Sequence, residues 1–358
     1  MATTKDVALR AGVSVSTVSH VLNATRFVAA ERRERVLLAM RDLGYEPNAV
    51  ARSLRVSRSR AIGLIISDIG NPFFTAVVRG VEDAAQAAGY IVILCNSDED
   101  PDKEETYLRQ LRSNRVDGLI LAPAGVAHAY LRALVREASP VVFIDREVPT
   151  LEVSAVVLAN EPAAYAAVGH LIELGHRRIG MIIGRPEVST TAQRRAGYER
   201  ALLEARVEID PRLVQEGGSK VEPGHEAADR LLDLAEPPTA IFSANNQMTI
   251  GALAAFEERG VRVPDDMAVV SFDDFAWAGF FRPPLTTVAQ PTYELGQRAT
   301  EVLLRRIEDG SAPPERIELP GTLVVRDSCG AHLERSLDWQ SVKQPSASSS
   351  HSNVGGTR

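Results

Sequence analysis

The chain has 358 residues, with 40 Lys and Arg against 47 Asp and Glu for a formal net charge of −7, and only two Cys. Two distant cysteines, Cys95 and Cys329, exclude a disulfide framework; with no run of 18 apolar residues and no apolar N-terminal leader, the chain reads as a cytoplasmic protein with no membrane partner. Residues 1–60 carry eleven Lys and Arg and five Asp and Glu, a balance of +6 that leaves −13 on the other 298, which suggests a small nucleic-acid reader joined to a body with a different task.

Thr3 and Asp6 make a capping-box pattern, and Val7, Ala8 and Ala11 then share one helical face, so a short helix is expected from about Thr4 to the turn at Gly12. Ser14 can cap a second helix running through Thr17, Val18, Ser19, His20 and Val21 to Leu22. Two short helices around a glycine turn form a helix-turn-helix. A third amphipathic segment, Ala30 to Leu43 with Val36, Leu37, Met40 and Leu43 apolar, closes a three-helix core at Gly44. With the second helix in a major groove, Val15 can pack on a thymine methyl while Ser16 and His20 exchange hydrogen bonds with bases or phosphates. The plainer alternative makes Ser16 and Ser19 solvent-facing residues of an ordinary helix.

Pro47 to Val56 follows, with Asn48 able to cap a helix of about eight residues, short of the roughly 12 to 15 needed for marginal helicity alone. This segment is expected to order only when something packs on it. Arg52 and Arg55 suit phosphates, and Leu54 is an apolar side chain suited to wedging a minor-groove base step, or else to packing on the body.

From Ala61 onward, apolar runs alternate with amphipathic segments. Strands are expected at 61–69, 90–96, 118–122, 141–145, 155–158, 179–183, 240–243 and 268–272, and helices at 76–88, 106–113, 163–174, 192–205 and 248–259. Buried Val/Ile/Leu strands separated by helices mean parallel sheets covered on both faces, and about 268 residues exceed one comfortable core. Beyond about Ser328 the chain turns Ser-rich, and residues 329–358 are expected to be a disordered tail, with Leu333 and Leu337 too few for a tetramerising coiled coil.

In Lys5-Asp6-Val7-Ala8, Ala11-Gly12-Val13-Ser14, Ser16 to Asn23, Arg26-Phe27-Val28 and Ala49 to Leu54, the chain resembles the lactose/galactose repressor family, over about residues 2 to 328. The resemblance implies an all-α helix-turn-helix headpiece (1–46), a hinge helix and linker (47–60), and an α/β body like the type I periplasmic binding proteins (61–328). That body has two doubly wound halves joined by three crossovers, about 61–160 plus 291–320 and about 161–290. It also implies a homodimer on a palindromic DNA operator. Thr4, Val15, Ser16, Thr17, Ser19, His20, Asn23, Arg52, Leu54 and Arg55 form the candidate DNA-binding set.

In open α/β sheets, ligands sit beyond the carboxyl ends of the strands. Asp145 ends one apolar run and Asp273 follows another, so two carboxylates stand where they can accept hydrogen bonds from sugar hydroxyls, although a strand-end Asp is more often a cap. Phe73 and Phe74, after Asn71-Pro72, can cover the C–H face of a sugar, or can simply be core. By resemblance, Arg146, Arg194, Asn245 and Asp273 match positions lining the family's effector cleft, with Thr190, Ser219 and Gln290 as further candidates. Arg146 and Ser219 stand where the purine repressor has aromatic residues around a base, which argues against a purine; the block Asn71 to Phe74 is similar to the ribose repressor, which favours a pentose or small hexose.

No GxGxxG, GK[ST] or nucleophile-elbow pattern occurs, and the seven His have no metal-ligand spacing, so neither an enzyme, a cofactor nor a metal is expected. A transport solute-binding protein would not need the basic head, an architectural DNA protein would leave the body idle, and a regulator answering to a nucleobase remains the alternative for the effector.

Overall fold

The head is built from α1 (Thr4–Ala11), α2 (Val15–Asn23) and α3 (Ala30–Asp42). A capping box between Thr3 and Asp6 starts α1, Gly12 in a left-handed conformation ends it, and the Ser14 hydroxyl accepts from the Thr17 N–H at the start of α2. Val7, Ala8, Ala11, Val18, Val36 and Ala39 close the core between the three helices. Leu37, expected inside, is 47 % exposed, because the buried face of α3 runs through Val36 and Ala39.

The computed structural model describes residues 2–23, 26–45, 59–125, 129–137 and 139–331, which form two units divided after Arg60. Arg52, Leu54, Arg55, the hinge helix expected around them and the tail from 332 lie outside the described residues.

In the body, the chain lays down β1 (Ala61–Ile66), α4 (Pro72–Ala87), β2 (Ile91–Asn96), α5 (Pro101–Ser113), β3 (Gly118–Leu121), α6 (Ala129–Arg136), β4 (Val141–Asp145) and β5 (Ser154–Leu158). It then forms α7 (Asn160–Glu173), β6 (Ile179–Ile183), α8 (Ser189–Glu204), β7 (Val214–Glu216), α9 (Val221–Leu232), β8 (Ala240–Ser243), α10 (Asn246–Arg259), β9 (Ala268–Phe272) and β10 (Thr286–Ala289), and finishes with α11 (Thr292–Glu308), β11 (Arg316–Leu319) and β12 (Thr322–Val324). Two six-stranded sheets result, ordered β11-β5-β4-β3-β1-β2 and β12-β10-β9-β8-β6-β7. All pairings are parallel except the antiparallel β10–β12. The chain changes sheet three times, at 158–160, 289–292 and 319–322.

β1, β4, β6 and β9 are buried along their whole length, as parallel strands covered on both faces must be. β2 departs from the expected buried strand: it is an edge, with Ile91 66 % exposed and Cys95 only half-buried. Helix α11 lies directly on α4, where a Cβ at Gly80 would come 2.1 Å from the Tyr293 carbonyl oxygen, so that backbone approach requires glycine. The second sheet also takes β12, beyond the 161–290 segment expected to build it. The ordered body likewise passes the boundary expected at 328, because Cys329 is buried among Thr286 Oγ1 at 3.2 Å and His170 Nε2 at 3.3 Å.

Candidate functional site

In the head, Val15 and Ser16 are exposed at the start of α2, and Thr17, Ser19 and His20 are half-buried along it, while Val18 between them is fully buried. The helix therefore turns Val18 inward and leaves an outward ridge of short polar side chains, a shape that fits a groove. Thr4 is half-buried and its hydroxyl lies 2.9 Å from the Tyr45 hydroxyl, an internal contact in addition to any external one. Asn23 closes α2.

In the body, the strand-end rule gathers residues from both lobes around one enclosed space. Its lining includes Phe73, Phe74, Asp145 and Arg146 from the first lobe and Thr190, Arg194, Ser219 and Asn245 from the second. Asp145 and Asp273 take left-handed backbone conformations, φ 65° and 71°, that a non-glycine residue adopts at a cost of roughly 1–3 kcal/mol. Both are buried, and the two carboxylates repel each other. Burial pushes the Asp145 carboxyl up to about 6 despite Arg146 and Arg194 nearby, and burial also raises Asp273.

Arg194 rises from α8 into this space. Its Nε donates to Asn160 Oδ1 (2.8 Å) and its Nη1 to the Ala244 carbonyl (2.6 Å), while the guanidinium lies 3.7 Å from the Phe272 ring centroid. Burial lowers its proton affinity, and the carboxylates of Asp273 and Asp145 counter that effect. Arg146 is fixed otherwise, by a two-pronged pair to Glu99. Phe73 and Phe74 meet edge to face, ring centroids 4.9 Å apart, and serve both as wall and as core.

Asn245 caps α10 by accepting from the Met248 N–H and donates to the Ser219 carbonyl, so its amide orients the wall before it can touch a ligand. Neither Asp273 nor Gln290 is among the residues that line the enclosed space; Gln290 donates to Asp273 Oδ1 at 2.5 Å and borders a larger groove of about 1010 Å³ with Pro72, Thr75, Arg79, Trp277 and Arg326.

Asn71, Glu99, Asn160 and Asn246 also enter the site, although the sequence gives them little signal: Asn71 precedes a Pro, and Glu99 sits in an acidic turn that reads as solvated. The Asn246 amide donates to Asn71 Oδ1 (2.9 Å), Lys220 Nζ pairs with Asp68 (2.5 Å), and Ser189 Oγ accepts from the Glu147 N–H (3.0 Å), tying the lobes across their mouth. The space they enclose is about 40 Å³, room for about one water, so a larger ligand enters only when the lobes part. Among the described residues no cluster of His, Cys, Asp or Glu could hold a metal, and no helix is long and apolar enough to cross a membrane.

Comparison with known proteins agrees with this architecture. Residues 3–48 match the profile of bacterial regulatory proteins, lacI family, and residues 168–329 that of a periplasmic binding protein-like domain. The HTH-type transcriptional repressor PurR of Haemophilus influenzae is 40 % identical over 332 residues, 92 % of this chain and 98 % of the relative. The lac repressor dimer bound to operator and the anti-inducer ONPF is 30 % identical with a TM-score of 0.81, over 92 % of this chain and 99 % of that one. A LacI family transcriptional regulator from Enterococcus faecium with bound ribose is 30 % identical with a TM-score of 0.68, over 75 % and 98 %. With its helix-turn-helix head and its two-lobed cleft, this chain belongs to the lacI family of bacterial regulatory proteins, ligand-responsive repressors that bind DNA.

Proposed function

We propose that the chain is a cytoplasmic repressor that binds a palindromic operator as a homodimer and is released by a small sugar, a pentose first, with no catalysis and no cofactor. In this reading Val15, Ser16, Thr17, Ser19, His20, Asn23 and Thr4 face DNA in the head, with Arg52, Leu54 and Arg55 in the hinge. Phe73, Phe74, Asp145, Arg146, Thr190, Arg194, Ser219, Asn245 and Asp273 hold the effector, with Gln290 orienting Asp273.

The carrying observation is that Asp145 and Arg146 of one lobe and Arg194 of the other line one enclosed space beside Phe73 and Phe74, with the second lobe's strand-end carboxylate, Asp273, buried close to Arg194. Carboxylates accept from hydroxyls, guanidinium groups donate to them, and rings cover the apolar face, which together suit a polyhydroxylated ring. The ribose found in the Enterococcus faecium neighbour agrees. A flat nucleobase is served less well, because positions 146 and 219 carry Arg and Ser in place of stacking rings.

In this reading, closure of the lobes on a sugar changes the spacing of the paired hinges and with it their fit to DNA. Effector and operator are then reciprocally linked, typically by about 1–3 kcal/mol. A mobility-shift titration against a candidate palindrome, with pentoses, hexoses and nucleosides in parallel, tests all parts together. Release by a pentose is expected; tighter operator binding with a nucleobase, and no effect of any sugar, overturns the assignment.

A further inference from the structure

We infer that Glu99 is a specificity residue: by holding Arg146 in a carboxylate fork, it makes the cleft select an uncharged monosaccharide over its phosphorylated form. The inference deepens the sugar reading and rests on it.

Glu99 stands in the turn after β2, where Asp98 and Glu99 both adopt left-handed conformations, φ 54° and 65°. That turn is pinned by the Glu99 N–H donating to the Ser67 carbonyl (3.1 Å) and by Asn96 Nδ2 donating to Asp98 (2.7 Å). From the opposite lobe, Arg185 Nη1 donates to the Glu99 carbonyl (2.5 Å). The side chain has one outlet, Arg146, whose Nη1 and Nη2 reach its two oxygens at 2.5 and 2.6 Å, and both partners are about nine-tenths buried. Burial opposes ionisation of Glu99, yet Arg146 outweighs it and holds the carboxyl below its ordinary range.

The remaining charges around the cleft decide what the fork does. Asp145 Oδ2 lies 3.5 Å from Arg146 Nε, and Glu104, which accepts from the Tyr130 hydroxyl and the Ala124 N–H, adds a third carboxyl group acting on the same arginine. Arg185 is paired with Glu187, and Lys220 with Asp68. Arg194 is engaged by Asn160 and the Ala244 carbonyl, with Asp273 and Asp145 close by. Arg146, Arg185 and Lys220 are thus each matched by a carboxylate within the protein, while Arg194 is held by neutral oxygens with two carboxylates nearby. A phosphate would meet Asp145 and Asp273 and could recruit Arg146 only by leaving the Glu99 carboxylate buried and unpaired, a strongly unfavourable exchange. The hydroxyls of a free sugar need no such exchange, because they can donate to Asp145 and Asp273 without displacing a pair.

The test is calorimetric titration of the full chain with ribose, arabinose and xylose and with the 5-phosphate of each, in wild type, Glu99→Gln and Glu99→Asp. Wild type is expected to bind one free pentose at least about 100-fold more tightly than its phosphate. Glu99→Gln should narrow that ratio by about tenfold or more, and Glu99→Asp, which restores the charge, should recover it. A wild type that prefers the phosphate, or an unchanged ratio in a Glu99→Gln protein that melts with wild type, overturns the role of Glu99 and leaves the sugar reading standing. Silence toward every free and phosphorylated sugar overturns both. Should Glu99→Gln fail to fold, Glu99→Ala supplies the second neutral variant, and the wild-type preference alone still decides against the inference if it favours the phosphate.

Discussion

The two lobes of the body share a strand order and a strand-end aspartate, yet they equip the cleft differently. The first lobe brings an arginine neutralised by Glu99; the second brings an arginine held by neutral oxygens and stacked on Phe272. Topology therefore fixes where the functional side chains stand, while their immediate partners fix what they can recognise.

The sharpest way to break this comparison is to remove the residue preceding each aspartate. Phe272→Ala is expected to cost about 3–5 kcal/mol in urea denaturation and to abolish sugar binding, because the ring supports both the core and Arg194. Ile144→Ala should cost about 2–5 kcal/mol with sugar affinity kept once the protein is folded, since no arginine rests on it. Equal loss of affinity in the two variants would erase the distinction.

Next in size, Asp273→Ala and Asp145→Ala should each weaken the sugar by about 1–3 kcal/mol while sparing operator affinity, read by calorimetry and by mobility shift. The pair is sharpened by pH. Asp145 has its pKa raised by burial from 3.8 to about 6, so the native state keeps a proton that the unfolded chain releases; its contribution to stability is full below about pH 4 and is lost as pH rises through 6. A sugar hydroxyl donating to the carboxylate favours ionisation. Binding at pH 6 should therefore release protons, seen as a dependence of the heat on buffer ionisation enthalpy that vanishes by pH 8 and in Asp145→Ala.

The smallest contrast concerns helix approach. Gly80→Ala forces α4 away from α11 and should cost about 1–3 kcal/mol, whereas Gly169→Ala in α7, where a new Cβ meets nothing within 4 Å, should stabilise by about 0.5–1 kcal/mol in thermal melts.

The fully buried strands could be read from the sequence, because a parallel strand covered on both faces is an unbroken apolar run, as in Val141 to Ile144. The elements that carry no such run could not. Strands β7, β11 and β12 are short and partly exposed, β10 is Thr-Thr-Val-Ala, α9 has Pro223-Gly224 in its first turns, and α11 has Gly296 within it. The same holds in the cleft. Asp145 and Asp273 stand out because they end apolar runs, whereas Glu99 lies between Asp98 and Asp100 and acquires its role only from a backbone turn that faces it toward Arg146, 47 residues away.

The three changes of sheet along the chain bear on how the protein is made. The second lobe has five of its six strands by residue 289, whereas the first still lacks β11 and the helix that brings Leu295, Ala299, Val302 and Leu303 to its core. During synthesis neither lobe is thus complete until about the last 40 described residues have emerged, and a truncation shortly before residue 292 strips the N-terminal lobe of a core helix and an edge strand while removing an edge strand and a short 3₁₀ turn from the other.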